Sequence, residues 1–208
     1  MFKNLSKTVE IVKDIPISNE RQAVLQSLLD YIQNKVNQHQ EIRLNFICTH
    51  NSRRSHLSQI WAQTMAFHFK INTIFCYSGG TEATAMFPKV VESLVNQGFQ
   101  SQNFGKKLTQ EQNPVYAVKF ADNQHPIICF SKTYFDDFNP KNNFAAIMTC
   151  NNADEGCPMV FGAEARFPVK YDDPKAFDGT ELMNEKYAER SLQIASEMYF
   201  VFSQIISK

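Results

Sequence analysis

Short apolar runs alternate with longer amphipathic segments along this chain of 208 residues. Three runs have the length and apolar character of buried strands: 41–48, 71–80 and 143–150. Four segments carry apolar residues at helical spacing: 19–38, 53–69, 88–98 and 181–206. Ser18 can cap the first of these helices, and Gly98 can end the third. Because strands and helices alternate, the pattern predicts an α/β fold around a mainly parallel sheet.

The predicted architecture is a central, mainly parallel four-stranded sheet flanked by helices. The chain divides into an N-terminal helical extension at 1–40 and a main domain at 41–208. In the main domain, two apolar runs flank the polar residues "ADNQ", which predicts an inserted hairpin within 113–131. The segment 151–180, rich in proline, glycine and aspartate, is predicted as a long loop.

Composition places the chain among ordinary globular proteins, since 43% of its residues are hydrophobic and 20% are charged. The formal net charge of +0 argues against bulk attraction to nucleic acid or anionic lipid, so we expect neither as a partner. No apolar stretch has the length of a membrane span, and the first residues lack the apolar core of a signal peptide. We therefore expect a cytoplasmic protein without membrane association.

The chain has five cysteines: Cys48, Cys76, Cys129, Cys150 and Cys157. An odd number without a secretory signal argues against a framework of structural disulfides and leaves open reactive thiols. Cys76 and Cys129 lie within apolar runs, so we interpret them as core residues. Cys48 and Cys150 end predicted strands, and ligands of parallel α/β sheets bind at that edge. We therefore expect the chemistry at the carboxyl edge of the sheet.

The segment "CTHNSRRS", which starts at Cys48, joins a predicted strand to a predicted helix. In so short a turn, several backbone N–H groups can point at one spot, and the helix dipole adds positive potential. Arg54 adds a fork of donors that matches two oxygens of a tetrahedral anion. The same field favours the thiolate of Cys48, and the Ser55 hydroxyl can donate a hydrogen bond to it. The pattern predicts a nucleophile beneath a bound oxyanion.

A purely structural interpretation of this segment also exists. Cys48 would then be a buried strand residue, and Arg54 would be a solvated helix residue, because this spacing also arises by chance. The strand before the segment, the helix after it, and the presence of Ser55 and Asn51 together favour the catalytic interpretation. The absence of the glycines and the lysine of a Walker A sequence argues against a nucleotide-binding loop.

The same segment resembles the phosphate-binding loop of low-molecular-weight protein tyrosine phosphatases and of the thioredoxin-coupled arsenate reductases with that fold. Both carry Cys-x5-Arg-Ser at the end of the first strand. Residues 77–99, "YSGGTEATAMFPKVVESLVNQGF", resemble the second strand, glycine turn and second helix of these proteins. The resemblance extends from about residue 42 to the C-terminus and is weak over 100–142. It implies that 41–208 is a catalytic domain of the phosphatase type.

The resemblance implies roles for the loop and for one residue outside it. Cys48 would be the nucleophile, and Ser55 would tune its thiolate. The implied oxyanion-binding residues are Thr49, His50, Asn51, Ser52, Arg53 and Arg54. Asp173, which precedes a proline, occupies the usual place of the family's general acid, with Asp172 as a weaker candidate. Aspartate and proline are also common in simple turns. No cofactor and no metal ion are expected.

Cys150 and Cys157 favour the arsenate reductase branch, whose members carry such a pair ahead of a "DDP" turn. The resemblance implies that Cys150 attacks the arsenic-bearing Cys48 and that Cys157 carries the oxidation outward, with thioredoxin as the external reductant. Two structural alternatives remain open. Cys150 can be a packed core residue, and the two thiols can be zinc ligands, although no nearby histidine completes a zinc site.

Two positions depart from the family pattern. His50 replaces a glycine, and its side chain can add positive charge near the anion or point to solvent. Arg53 replaces a frequent cysteine, and we expect its side chain on the helix surface. Three functions follow: an arsenate reductase-like enzyme, a low-molecular-weight phosphatase acting on phosphotyrosine or aryl phosphates, and a non-catalytic oxyanion or redox sensor. For the two enzymes the substrate is a small oxyanion, either arsenate or a phosphate ester.

Overall fold

The computed structural model describes residues 1–105, 113–156 and 159–206 of the chain. These residues contain six α-helices: α1 (Lys3–Val12), α2 (Asn19–Asn37), α3 (Arg54–His68), α4 (Pro88–Asn96), α5 (Asn151–Gly156) and α6 (Met183–Ser203). They also contain seven strands: β1 (Ile42–Cys48), β2 (Ile74–Gly80), β3 (Gln100–Asn103), β4 (Tyr116–Lys119), β5 (Ile127–Cys129), β6 (Phe144–Met148) and β7 (Ala163–Pro168). A short 3-10 helix, Pro174–Phe177, precedes α6. No helix in this part of the chain is both long enough and apolar enough to cross a membrane.

The central sheet has four parallel strands in the order β2-β1-β6-β7, which confirms the predicted fold class. β1 and β6 are the inner strands and are buried over nearly their whole length. In the register of the sheet, Ile47 of β1 lies beside Gly79 of β2 and Met148 of β6. The carboxyl ends of these three strands therefore meet, which brings Cys48 and Cys150 to one edge.

Helix α3 is buried almost all round, because it packs against the sheet and against α6. Leu57, Trp61 and Met65 are fully buried. Trp61 donates its indole N–H to the hydroxyl of Ser191 on α6 at 2.9 Å, which satisfies the polar atom of the indole ring. The helix predicted at 53–69 is thus confirmed, and its burial anchors the turn that precedes it.

The N-terminal segment contributes two helices that pack on the main core. Ser18 caps α2 by accepting a hydrogen bond from the amide of Arg21 at 3.2 Å, as the sequence predicts. Helix α1 is absent from the sequence prediction, although Leu5 and Val9 are at helical spacing and are buried in that core. The guanidinium of Arg21 pairs with Glu197 of α6 at 2.7 Å, so charge as well as apolar contact joins α2 to the core.

The inserted segment forms a second, antiparallel sheet in the order β3-β4-β5. The predicted hairpin corresponds to β4 and β5, while β3 is an additional strand of mostly exposed polar residues. After β5 the chain returns to the main sheet. The amide of Gly80 donates to the carbonyl oxygen of Lys132 at 2.9 Å, and the amide of Tyr134 donates to that of Gly80 at 2.8 Å. This contact places residues 130–136 against the carboxyl edge.

The prediction of one long loop at 151–180 is wrong over part of its length. The segment contains α5, β7 and the 3-10 helix, and β7 pairs in parallel with β6. Within β7 only Phe167 is buried, because the strand lies at the edge of the sheet. Such an edge strand lacks the alternation of apolar and polar residues that marks a half-buried strand.

Candidate active site

The turn between β1 and α3 contains residues 49–53 and lies between the candidate nucleophile Cys48 and the candidate anion ligand Arg54. Asn51, in its middle, has a φ of 43°, a left-handed conformation that asparagine tolerates better than most residues. A left-handed residue within a turn lets successive N–H groups converge on one point. The backbone of this turn therefore has the form of an anion site.

The carbonyl groups of this turn face outward. The carbonyl oxygens of Thr49 and Ser52 accept hydrogen bonds from backbone amides in the segment 81–87, at 2.8 and 3.0 Å. The carbonyl oxygen of His50 accepts one from the hydroxyl of Ser131 at 2.8 Å. Among the described residues, no hydrogen bond uses a backbone amide of the turn as its donor. Because the carbonyls point away from the centre, these amides are left to face an anion there.

Cys48 lies at the floor of the turn with 3% of its surface exposed. Its sulfur is 3.1 Å from the hydroxyl oxygen of Ser55. That oxygen accepts a hydrogen bond from the side-chain amide of Asn51 at 2.8 Å, which leaves the Ser55 hydrogen free to point at the sulfur. A hydroxyl that donates to the sulfur stabilises the thiolate, which is the form that attacks. Ser55 thus has the geometry that its predicted role requires.

Close packing of the turn against β2 depends on a glycine. A Cβ atom added to Gly80 would lie 2.6 Å from the carbonyl oxygen of Thr49 and 2.7 Å from the amide nitrogen of Asn51. Both are backbone atoms, so they cannot move without opening the turn. Gly80 therefore keeps β2 close enough to support the anion site.

Arg54 links the turn to the segment 171–173. Its guanidinium donates to the backbone carbonyl oxygen of Tyr171 at 2.9 Å and to the carboxylate of Asp173 at 2.6 Å. The Arg54 side chain is 13% exposed and that of Asp173 is 34% exposed, so the guanidinium is largely shielded from water while the carboxylate stays partly open to it. The side chain of Asp172, by contrast, is 97% exposed. Of the two neighbouring carboxylates, Asp173 is therefore the one that the structure places at the turn.

Arg53 does not lie on the surface, contrary to the expectation from sequence. Its side chain is 11% exposed and donates to the carboxylate of Asp178 at 2.6 Å and to the hydroxyl of Tyr187 at 2.5 Å. The guanidinium also lies 4.2 Å from the ring centre of Phe87. Burial, together with the hydrogen bond to Asp178, raises the pKa of Tyr187, so its hydroxyl stays protonated. These partners occupy the guanidinium. If Arg53 contacts an anion in the turn, it therefore does so through its backbone amide.

The side chain of His50 lies at the surface, which is one of the two orientations considered from sequence. It is 46% exposed, and its Nε2 atom is 3.7 Å from the carboxylate of Glu82. Its backbone carbonyl accepts hydrogen bonds from the hydroxyls of Ser131 and Thr84. His50 therefore supports the turn through its backbone.

Cys150 is a second buried thiol at the same edge of the sheet. It is 2% exposed and belongs with Cys48 to a small apolar cluster that is separate from the main core. Its sulfur lies 3.5 Å from the hydroxyl oxygen of Thr49 and accepts a hydrogen bond from the amide of Ala153 at 3.4 Å. The structure thus brings the second candidate thiol to the turn. Cys157, the third, lies outside the described residues.

Charged contacts hold α5, which follows Cys150, against the sheet. Asp154 of α5 contacts Arg166 at 2.5 Å and Lys170 at 2.9 Å. Burial raises the pKa of Asp154, but the hydrogen bonds from Lys170 and Arg166 outweigh it, and the pKa lies below its ordinary value. The carboxylate therefore stays ionised at neutral pH and tethers the segment that begins with Cys150.

Cys76 and Cys129 have the environment of unreactive thiols. Both are buried, and burial raises the pKa of both, that of Cys129 to about 12. Such thiols stay protonated and do not act as nucleophiles. Their placement agrees with the core role expected from sequence and makes Cys129 a suitable control position.

Lys132 is a candidate that the sequence pattern does not single out. It is 2% exposed, and its backbone amide donates to the side-chain oxygen of Asn51 at 3.0 Å. The run that contains it, 125–132, is mostly apolar, so its last residue carries no functional signal of its own. The contact with the turn exists only because this segment returns to the carboxyl edge of the sheet.

Solved structures that include a low-molecular-weight phosphotyrosine phosphatase share this fold. The enzyme from Vibrio cholerae O395 is 14% identical, covers 78% of this chain and 94% of its own, and has a TM-score of 0.50. A mutant of YwlE from Bacillus subtilis is 13% identical, covers 79% of this chain and 98% of its own, and has a TM-score of 0.52. At such identities the likeness shows the fold alone. The fold that the resemblance of the loop sequence implies is therefore confirmed.

An arsenate reductase in a phosphate-bound state is 17% identical and covers 79% of this chain and 99% of its own. Its TM-score of 0.47 is too low to support an argument about function. No protein-family model matches the chain, and no curated protein matches it in sequence. The choice of activity therefore rests on the residues of the site.

Proposed function

We propose that this chain is an arsenate reductase-like enzyme with a Cys-x5-Arg oxyanion loop and a thiol relay. One observation favours this activity over the alternatives. The buried thiol of Cys150 shares an apolar cluster with Cys48 and lies 3.5 Å from the hydroxyl of Thr49 in the turn. A reductase of this kind needs a second thiol within reach of the nucleophile, whereas a phosphatase does not.

The first step forms a covalent bond between sulfur and arsenic. Arsenate binds in the turn, with its oxygens held by the backbone amides and by Arg54. The thiolate of Cys48 attacks arsenic, so an S–As bond forms and one As–O bond breaks. The departing hydroxyl takes a proton from Asp173 and leaves as water. The contact of Asp173 with Arg54, at 2.6 Å, supports this role because it holds the carboxyl group beside the anion site.

The second step transfers two electrons to arsenic. The thiolate of Cys150 attacks the sulfur of Cys48, so an S–S bond forms and the S–As bond breaks. The bonding pair stays on arsenic, which is reduced from arsenic(V) to arsenic(III) and leaves as arsenite. Two thiols are oxidised to the Cys48–Cys150 disulfide. The amide of Ala153, which donates to the Cys150 sulfur at 3.4 Å, favours the attacking thiolate.

The last steps restore the nucleophile. The thiol of Cys157 attacks Cys150, so a Cys150–Cys157 disulfide forms and Cys48 is released as a thiol. A dithiol protein of the thioredoxin type then reduces that disulfide and supplies the two electrons of the cycle. Movement of α5 requires its Asp154 contacts to open, because they tether the segment between the two cysteines.

The test is arsenate-dependent oxidation of NADPH with thioredoxin and thioredoxin reductase present. We expect multiple turnover by the wild type and by the control Cys129→Ala, and none by Cys48→Ser, Cys150→Ser or Cys157→Ser. The Cys157→Ser protein should still release one equivalent of arsenite and retain a Cys48–Cys150 disulfide, which mass spectrometry detects. Normal turnover by Cys150→Ser would contradict the relay.

A second candidate activity is the hydrolysis of phosphotyrosine or aryl phosphates. The pairing of Asp173 with Arg54 beside the buried Cys48 favours it, because this chemistry needs a nucleophile, an anion ligand and an acid and no further thiol. Hydrolysis of p-nitrophenyl phosphate by the same variants separates the two activities. A phosphatase should lose its rate in Asp173→Asn and keep it in Cys150→Ser.

A further inference from the structure

A cavity of about 900 Å³ lies beside the oxyanion loop. Its polar lining includes Ser52 of the turn together with Lys132 and Asp136, and its apolar lining includes Phe87 and Phe130. The volume falls in the range of sites for small organic molecules, about 300–1,000 Å³. Arsenate is far smaller than this cavity, so arsenate reduction does not explain why the cavity is present.

Lys132 lines the cavity and carries a buried positive charge. The residue is 2% exposed, and burial lowers its pKa to about 8, so it remains mostly charged at neutral pH. In the described part of the chain it forms no ion pair, and its ammonium donates one long hydrogen bond, 3.4 Å, to the carbonyl oxygen of Phe130. The ammonium also lies 4.7 Å from the ring centre of Phe130. A buried charge with so few partners is unfavourable unless a counter-charge reaches it.

We propose that this cavity binds an aromatic carboxylate, with the carboxylate on the Lys132 ammonium and the ring against Phe87 and Phe130. Asp136 attracts the Lys132 ammonium but forms no ion pair with it among the described residues, so the ligand carboxylate supplies the direct partner, and the two rings offer apolar faces for stacking. Asp136 also lines the cavity, and its carboxylate accepts a hydrogen bond from the amide of Phe138 at 2.9 Å. One ammonium and one carboxylate in the same cavity favour a ligand with a single negative charge over a dianion.

Three contacts in series connect this site to the nucleophile. The amide of Lys132 donates to the side-chain oxygen of Asn51 at 3.0 Å. The side-chain amide of Asn51 donates to Ser55 at 2.8 Å, and the Ser55 oxygen lies 3.1 Å from the sulfur of Cys48. Movement of the Lys132 backbone on ligand binding would reorient Asn51 and change the hydrogen bond to the sulfur. An occupied cavity therefore changes the reactivity of Cys48 without contact between ligand and sulfur.

The test uses benzoate as the probe and benzyl alcohol as its neutral analogue. Binding is followed by the amide chemical shifts of Ser131 and Thr133 in the full chain. We expect benzoate to bind the wild type, Arg54→Met and the surface control Lys186→Met alike. Lys132→Met should weaken its binding by about tenfold or more, the effect of losing a charged hydrogen bond. Benzyl alcohol lacks the carboxylate, so its affinity for the wild type should be no higher than the affinity of benzoate for Lys132→Met.

Reactivity of Cys48 provides the readout that separates this site from the oxyanion loop. Inorganic phosphate should protect Cys48 from iodoacetamide in Lys132→Met and fail to do so in Arg54→Met. Benzoate should change the alkylation rate of the wild type by about fivefold or more, the low end of typical coupling between sites. It should leave the rate of Lys132→Met unchanged.

Three outcomes would overturn the proposal: no benzoate binding to the wild type, equal binding to Lys132→Met, or equal binding of benzyl alcohol. If Lys132→Met does not fold, the pH dependence of the wild type replaces it. Benzoate affinity must then fall as pH rises through about 8, where Lys132 loses its proton. A constant affinity across that range would also overturn the proposal. None of these measurements requires arsenate reduction, so the proposed enzymatic function can fail independently.

Discussion

The guanidinium of Arg54 donates to the carboxylate of Asp173 at 2.6 Å, so the candidate anion ligand and the candidate acid are in direct contact. An oxyanion in the turn would use the same guanidinium donors, because Arg54 is the arginine that begins α3 beneath it. Protonation of Asp173 weakens its pairing with Arg54 and provides the proton that the departing oxygen needs. Anion binding at Arg54 and the release of Asp173 from this ion pair are therefore expected to favour each other.

Asp173→Asn tests this relationship directly. The substitution removes the transferable proton, so we expect the rate of the chemical step to fall by about 10²–10⁴-fold. Phosphate binding, measured as protection of Cys48 from iodoacetamide, should persist or improve, because a competing carboxylate has been removed. Asp172→Asn is the matched control, since that side chain is 97% exposed. Equal rate losses in the two variants would argue against Asp173 as the acid.

Ser55→Ala should slow the alkylation of Cys48 at neutral pH. The hydroxyl lies 3.1 Å from the sulfur, and a hydrogen bond to a charged group contributes about 1.5–3 kcal/mol, so we expect the alkylation rate to fall by about tenfold or more. Ser58→Ala is the control, because Ser58 is a buried serine of the same helix whose hydroxyl has no partner among the described residues. An unchanged alkylation rate in Ser55→Ala would show that the Ser55 hydroxyl does not stabilise the thiolate of Cys48.

Gly80→Ala should open the oxyanion loop. The added Cβ would lie 2.6 Å from the carbonyl oxygen of Thr49, so either β2 or the turn has to shift. We expect a lower melting temperature and a loss of phosphate protection at Cys48. At Gly156 an added Cβ would meet nothing within 4 Å, so Gly156→Ala provides the control. Phosphate protection that survives in Gly80→Ala would show that the turn tolerates this displacement.

Arg53→Met should affect stability more than anion binding. It leaves Asp178 and Tyr187 without their guanidinium partner, at a cost of about 1–3 kcal/mol in the free energy of unfolding. Urea unfolding measures that cost. Phosphate protection of Cys48 should remain close to that of the wild type and should be lost in Arg54→Met. If Arg53→Met loses protection to the same extent as Arg54→Met, its guanidinium takes part in anion binding.

Lys132 should make the free energy of unfolding increase with pH. Burial lowers its pKa to about 8 from 10.5, so between these values the unfolded chain keeps a proton that the native chain has released. Stability therefore rises with pH through this window. Lys132→Met should flatten the rise and stabilise the protein at neutral pH by up to about 3 kcal/mol, at about 1.36 kcal/mol per unit of pKa.

Urea unfolding at several pH values across that window measures the effect, with Lys186→Met as the control on the surface of α6. The two proteins are compared by the difference in their free energies of unfolding at each pH, because other groups also titrate within this pH window. Parallel pH profiles for wild type and Lys132→Met would show that the ammonium is not desolvated in the native state.

Features that depend on neighbouring residues could be predicted from the sequence. Ser18 caps α2 because its side chain reaches an amide three residues away, and Pro88 begins α4 because its ring suits a first turn. The loop from Cys48 to Ser55 could be predicted for the same reason. A strand end, a short turn and a helix start bring together residues that are also close in the chain.

Features that depend on distant partners could not be predicted. Strand β7 is defined by pairing with β6 and not by a periodic pattern, since only Phe167 within it is buried. The sequence predicts Arg53 at the surface, because nothing near it in the chain reveals that Asp178 and Tyr187 meet its guanidinium.

For this protein, the sequence by itself determined the candidate nucleophile and its loop, because the order Cys48, turn, Arg54, Ser55 places these groups within one strand end and one helical turn. Only the tertiary structure decided which distant groups join them. It selected Asp173 over Asp172, brought Cys150 to the turn and buried Lys132 behind it. Those contacts arise where parallel strands end at one edge of a sheet, and residues far apart in the chain meet there through packing that no local pattern encodes.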